Sequence, residues 1–270
     1  MRNTQVLKKL EDLYFEVRRE PLVTTSGIET SKFAIIRNDS NKVIGVVGKD
    51  YQLIENKQLI ETVIPKLKSL GDFRYNKIIT VNDGAKSFVE LVFPNRTVEI
   101  KDSHDNLDHI QPTLTLSNSY DMTKKLGFVA GVFRLVCSNG AFIGVKAFSY
   151  IKIHVNIDLR EVIKSGTDVL NLLVSRVFPF YQKMAMQKIS KNRIHSLKEN
   201  LGEGILRKMS ILNEDGECIL KADGDYYDAT EWSVYNSATR YLTHEHKGSY
   251  LSQLAFNQKL THVFGLDTIQ

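Results

Sequence analysis

The chain has 270 residues, 42% of them hydrophobic and 25% charged, enough to bury a full core and ordinary for a globular protein. Two cysteines exclude a disulfide scaffold and fit a reducing cytoplasm. The N-terminal MRNTQVLKKLEDLYFEV lacks the apolar core of a signal peptide, and no run reaches the roughly 18 apolar residues of a membrane span. The net charge of +5 is uneven: residues 122–200 carry 13 basic and 4 acidic side chains, about +9, and residues 201–270 come to about −4.

In chain order, Val6, Leu7, Leu10, Leu13, Tyr14 and Val17 have helical spacing, which predicts a helix over 4–17 that Pro21 ends. Residues 32–37 and 42–48 are β-branched runs around Asn38-Asp39-Ser40-Asn41 and read as a hairpin. After Tyr51, Asn56 is placed to cap a helix that Pro65 kinks or stops and Gly71 closes. A second hairpin, 73–81 and 87–93, turns at Asn82-Asp83-Gly84. Two central strands follow, 113–117 and 128–136, then a short one near 147–154.

From Asp158 the pattern is helical. Asp158 and Glu161 have capping-box spacing, and Pro179 should divide the helix they begin. Further helices are expected over 181–195 and 203–212, then from caps Thr230 and Ser249, with an acidic loop at 213–228. The expectation is one α+β domain over 1–270. An antiparallel sheet built from hairpins fills the strand-rich part, 1–155, and the helical part, 156–270, packs on it.

No reaction motif stands out. Gly45-Val46-Val47-Gly48-Lys49-Asp50 lacks the Gly and Ser/Thr of a phosphate loop, having Val43 and Asp50 at those places. His244 and His246 flank Glu245 at a spacing that puts them on different faces of a helix. Asp102, Asp105 and Asp108 have no following Glu or Gly at calcium-loop spacing. No catalytic residue, metal ligand or cofactor is assigned, and Cys137 reads as a small buried residue.

The basic groups carry the functional reading. Lys188, Lys191, His195 and Lys198 fall within about 80° of one face if their stretch is helical, a stripe able to track phosphates. Lys124 and Lys125 sit at the turn between the central strands, and Arg134 lies within the second, where a half-buried charge needs Asp121, Asp50 or a phosphate as partner. Tyr51, Tyr75, Tyr120, Phe128 and Phe133 interleave with Arg74, Lys77 and Arg134, as a base-stacking strand surface would require.

Ser117-Asn118-Ser119-Tyr120-Asp121 and Arg134-Leu135-Val136-Cys137-Ser138-Asn139-Gly140 resemble the signature of the family catalogued as domain of unknown function 932, also described as phage/plasmid-like proteins. Tyr51-Gln52-Leu53-Ile54-Glu55-Asn56 is similar to an earlier segment of that family. The stretch from Tyr235 through Asn236 and Thr239 to His244 is similar to a later one. Met122 stands where the family often has Gly.

The resemblance implies a bacteriophage or plasmid-like origin and a host-cytoplasmic setting, without an activity. Combined with the charge layout, it leads us to expect a nucleic-acid-binding protein acting on single-stranded DNA, in binding or annealing during recombination, and able to form a homo-oligomer. The alternative is a virion-associated or host-interaction protein that binds no nucleic acid. An enzyme is the least supported class, because no constellation of groups outlines an active site. The Ser117–Tyr120 and Arg134–Asn139 segments are expected to converge in space.

Overall fold

The computed structural model describes residues 4–103, 105, 107–135, 139–142, 149–152 and 154–269, with 139–142 and 149–152 as backbone. The strands are β1 (Thr4–Val6), β2 (Val17–Val23), β3 (Glu29–Arg37), β4 (Val43–Gly48), β5 (Arg74–Val81), β6 (Lys86–Val92), β7 (Val98–Lys101), β8 (Leu107–Ser119), β9 (Leu126–Arg134), β10 (Asn139–Phe142), β11 (Ser149–Lys152), β12 (Lys188–Ser190), β13 (Ala222–Asp223) and β14 (Tyr226–Thr230). The helices are α1 (Asn56–Val63), α2 (Leu159–Leu172), α3 (Phe178–Met186), α4 (Lys191–Leu201), α5 (Glu203–Lys208), α6 (Glu231–Arg240) and α7 (Tyr250–Val263). The class is α+β, strand-rich in the N-terminal half and largely helical in the C-terminal half.

Contacts divide the chain into two compact units. The first comprises Met1–Asn95, Leu114–Val129 and Ser149–Val169; the second comprises Arg96–Thr113, Ala130–Phe148 and Leu170–Gln270. In the first, strands run in the order β1-β5-β6-β8-β9, with β11 also paired to β9, beside a separate β2-β3-β4 sheet. The two expected hairpins are β3–β4 and β5–β6. At the second turn Asn82, Asp83 and Gly84 all take positive φ, the conformation that Asn, Asp and Gly tolerate best. The middle of α2 packs onto β9, where a Cβ on Gly166 would stand 2.9 Å from the Phe128 ring.

The helix expected over 4–17 does not form. Thr4–Val6 pairs instead with the free side of β5, Leu10–Leu13 makes a single 3-10 turn, and Val17 begins β2. Only Leu13 and Val17 of the apolar series are buried, while Val6 is 72% exposed, so strand pairing outweighs the local periodicity. Pro21 lies inside β2 rather than ending a helix. It is tolerated because β2 is an edge strand with a register shift between Pro21 and Val23.

In the second unit, β7 pairs with the beginning of β8 and β10 with the end of β9, while β12-β14-β13 form a small sheet. The stretch expected as one helix over 181–195 is interrupted. The helix breaks after Met186, β12 follows, and α4 restarts at Lys191 with the Ser190 hydroxyl accepting from Arg193 N at 3.1 Å. Thr230 and Ser249 cap α6 and α7 as expected, accepting from Ser233 N at 3.1 Å and from Ser252 N at 3.3 Å. Tyr181, Trp232, Tyr235 and Phe264 form the aromatic core here, with Tyr181 and Trp232 ring centroids 4.8 Å apart.

Candidate functional site

In the first unit the motif residues meet in a buried polar knot. The Asn118 amide donates to Asn56 Oδ1 at 2.9 Å and to the Ile54 carbonyl at 3.0 Å, and its own Oδ1 accepts from Ser119 N at 3.0 Å. Asn56 does not cap α1 with its side chain. Glu55 holds the cap position, and the Asn56 side chain turns inward, donating to Leu13 O at 3.3 Å and accepting from Ser87 Oγ at 2.8 Å. The Tyr120 hydroxyl takes the Asn56 N–H at 2.9 Å, and the Tyr51 hydroxyl donates to Ser119 O at 2.8 Å. Burial pushes both phenols further above their ordinary value, so they stay protonated hydrogen-bonding groups.

Asp121 closes this group by pairing with Lys86 at 2.6 Å, and Lys86 is itself buried. Every polar group just described finds a partner inside the protein, so the knot fixes four segments distant in sequence, around Leu13, Tyr51–Asn56, Lys86–Ser87 and Asn118–Asp121. Lys86 was invisible in the sequence because nothing in its own β-strand run marks a buried cation. Gly45, in the stretch that superficially resembles a phosphate loop, is a packing position: a Cβ there would lie 1.9 Å from Tyr120 O.

In the second unit a cavity of about 240 Å³ is lined by Asp102, Asp108, Arg134, Trp232, Asn236 and Arg240, among others. Arg134 pairs through Nε with Asp108 Oδ2, which also accepts from the Trp232 indole N–H at 3.2 Å. Asp108 is buried, and its other oxygen, Oδ1, has no hydrogen-bond donor among the described residues. The partner expected for Arg134 was Asp121, Asp50 or a phosphate, and the structure supplies Asp108 instead. The reason is strand direction: β8 and β9 are antiparallel neighbours, so Arg134, at the end of β9, meets the beginning of β8, where Leu135 N donates to His109 O at 2.9 Å. Ser117–Tyr120 lie at the other end of β8, so the expected convergence with Arg134 does not occur.

One face of α6 supplies the other wall. Ser233, Asn236, Ser237 and Arg240 recur at helical spacing and all line the cavity. The Ser233 and Ser237 hydroxyls are spent on backbone carbonyls, donating to Thr230 O at 2.8 Å and to Ser233 O at 3.1 Å. The Asn236 side chain makes no hydrogen bond with any described residue although the residue is only 7% exposed. The Arg240 guanidinium, at the exposed rim, makes no ion pair or hydrogen bond with a described residue. Thr239 points elsewhere, buried with its hydroxyl on Asn236 O at 3.0 Å. Trp232 and Arg240 were not singled out by sequence, and Asp108 was weighed only as part of a calcium loop, although the single Trp and the polar i, i+3, i+4, i+7 series within the motif helix carried a signal.

The expected phosphate stripe is broken. Lys188 lies in β12, paired with Asp223 at 2.8 Å, and Lys198 pairs with Glu203 at 3.0 Å. The Asp223 partner holds the Lys188 ammonium above its ordinary value. Lys191 is exposed at the start of α4, and Lys124 and Lys125 are half-buried and exposed in the β8–β9 connection. The expected stacking surface also fails for Tyr51, Tyr120 and Phe128, which are core residues, while Tyr75 is exposed. Cys137 lies outside the described residues, and Asn139 is described as backbone, paired with Arg134. Among the described residues no group of three or more His, Cys, Asp or Glu could hold a metal ion, and no helix is long and apolar enough to cross a membrane.

The chain is thus an α+β protein with a polar knot in one unit and an arginine-rimmed cavity in the other. Residues 43–262 match the family described as Domain of unknown function (DUF932), and the chain belongs to it. No curated protein and no solved structure matches the chain.

Proposed function

We propose that the chain is a nucleic-acid-binding protein of a phage or plasmid, acting on single-stranded DNA in recombination. The observation that carries this reading is the cavity of the second unit, where Arg240 at the rim and the Asn236 amide have no hydrogen-bond or ion-pair partner among the described residues. A cation at the mouth suits a phosphate, and a planar donor–acceptor group within suits a base edge. The positive charge of residues 122–200 supports it, as do the solvent-facing Lys125 and Lys191. The mobile-element setting rests on the motif resemblance.

The test is fluorescence anisotropy of labelled single-stranded DNA across a salt series. Binding that weakens linearly in log–log form is expected. Absence of binding at low salt overturns the reading. A second reading, a partner-binding role in a virion or at a host protein, is favoured by one feature. The edge strand β4 exposes Val43 by 60% and Val46 by 51%, and an open edge carrying apolar side chains is a template for pairing with another chain, including a second copy.

A further inference from the structure

We propose that the second unit carries a separate site, a groove beside strand β7 that binds the planar N–H/C=O edge of a neutral amide, a primary carboxamide or the imide of a pyrimidine. The site stands apart from the Arg240 cavity and from the nucleic-acid reading. β7 is an edge strand: among the described residues it pairs with β8 alone. Two contacts fix which way its backbone points. Opposite Glu99, His109 turns its carbonyl away from β7 and accepts from Leu135 N at 2.9 Å. Two residues along β7, Lys101 N donates to Gln182 Oε1 at 3.1 Å, and Lys101 O accepts from Gln182 Nε2 at 2.7 Å. Alternation along an antiparallel ladder then directs the Glu99 N–H and C=O away from β8, to the Gln182 side. Neither has a hydrogen-bond partner among the described residues.

A groove of about 300 Å³ adjoins this couple. Its apolar walls are Val98, Ile100, Val174, Phe178 and Pro179, and Glu99 and Gln182 complete the lining. Such a volume is at the lower end for ligand pockets, which run from roughly 300 to 1,000 Å³. Gln182 shows what the strand accepts, since one planar carboxamide meets both backbone groups of Lys101 at once. Glu99 offers the same donor and acceptor two residues away. With the Lys101 couple already filled, an added strand has no run of backbone to pair with, whereas a single amide edge does. Charge sharpens the choice. Glu99 is the one charged residue of the lining, and its carboxylate, 3.3 Å from His109 Nε2, disfavours an anionic ligand. A ligand carboxylate also sets an oxygen lone pair against the Glu99 carbonyl, where an amide presents an N–H.

The experiment titrates the isotope-labelled full chain with benzamide, benzoate and thymidine, reading the backbone amide shifts of Glu99 and Lys101 by NMR. Benzamide is expected to bind with a Kd of about 1 mM, ordinary for so small a molecule, and about tenfold tighter than benzoate. Glu99→Ala removes the carboxylate and keeps the backbone couple, so benzamide affinity should hold within about twofold. Glu99→Pro removes the N–H without breaking a ladder bond, because that N–H points away from β8, and should weaken benzamide about tenfold relative to Glu99→Ala. Val174→Trp fills the groove and should abolish binding while leaving the couple in place. The thermal midpoint of each variant reports whether it folds.

Displacement of benzamide by thymidine supports the site and assigns the edge to a pyrimidine base. Benzamide binding that thymidine does not disturb supports it with a carboxamide as the ligand. No shift at Glu99 or Lys101 with either molecule overturns the site, as does benzamide binding that Glu99→Pro and Val174→Trp both leave unchanged. Equal affinity for benzamide and benzoate overturns the amide preference.

Discussion

Asn118 donates its side-chain amide to Oδ1 of Asn56 at 2.9 Å across 62 residues of sequence, with both side chains buried. The same Asn56 oxygen accepts from Ser87, and the same Asn118 amide reaches Ile54 O. Removing either amide strands its partners away from water, where each unmet group costs about 1–3 kcal/mol. Asn118→Ala and Asn56→Ala are each expected to cost about 3 kcal/mol in urea unfolding. The double variant should cost less than the sum, because the shared bond is lost only once. Strict additivity would show that the two amides do not act as one network.

Two backbone positions around the knot should respond in opposite directions. Gly45→Ala places a methyl 1.9 Å from Tyr120 O, forcing strand β4 away from the motif turn. The overpacking cost is about 3 kcal/mol or more. Met122, with φ of 59° and 51% exposure, holds a left-handed conformation without burying its side chain. Met122→Gly is expected to be neutral or to stabilise by up to about 1 kcal/mol, and Met122→Val to destabilise, since a β-branched residue is poorly accommodated there. Denaturation midpoints of the three variants check the ordering.

The hairpins, the caps at Thr230 and Ser249 and the α+β class were legible because turn chemistry and capping act over a few residues. The N-terminal strands were not. Val6, Leu10 and Val17 have a helical period, yet Thr4–Val6 is recruited by the open edge of β5, a partner some seventy residues away that local pattern cannot reveal. Asn56 showed the same limit: a good capping residue by type, it spends its side chain on Asn118 and Leu13. The motif residues were found, but their roles were not. Tyr51 and Tyr120, which resembled stacking platforms, are core, and Asn236 and Arg240, without partners among the described residues, became visible only when α6 faced the Asp108–Arg134 pair.

His154 is expected to make the protein less stable in mild acid. Burial holds its imidazole below the ordinary value of 6.5, opposed by the contact of Nδ1 with Gln52 O at 3.3 Å, while Nε2 has no partner among the described residues. The ring stacks on Tyr51 with centroids 4.9 Å apart. The unfolded chain takes up a proton near pH 6.5 while the folded one resists it, so stability falls as pH drops through about 6.5 and continues falling to the lower folded value. His154→Phe keeps an aromatic ring against Tyr51 and removes the titration. Its thermal midpoint should therefore fall less than that of the unmodified protein between about pH 7.5 and pH 5. Parallel pH profiles would assign the acid sensitivity to other groups.

The lysines of the expected stripe give a graded prediction for the nucleic-acid reading. Three free lysines on phosphates would each contribute about 0.7–0.9 to the log–log salt slope, so replacing all three would flatten it by about two to three units. In the structure Lys188 is held by Asp223 and, at 3.9 Å, by Asp228, and Lys198 is held by Glu203 and donates to Gly216 O at 3.1 Å. A lysine already facing a carboxylate displaces fewer counterions from DNA, because its charge is partly spent. Lys191, exposed and making no ion pair with a described residue, keeps its full charge. The triple alanine variant is therefore expected to flatten the slope by about one unit, with Lys191→Ala alone giving nearly the whole effect. Stability should change by no more than about 0.5 kcal/mol, since exposed ion pairs contribute little. A loss of two units or more would mean that Lys188 and Lys198 leave their carboxylates for phosphates on binding. An unchanged slope with an altered mass in solution would instead place this face between copies of the chain.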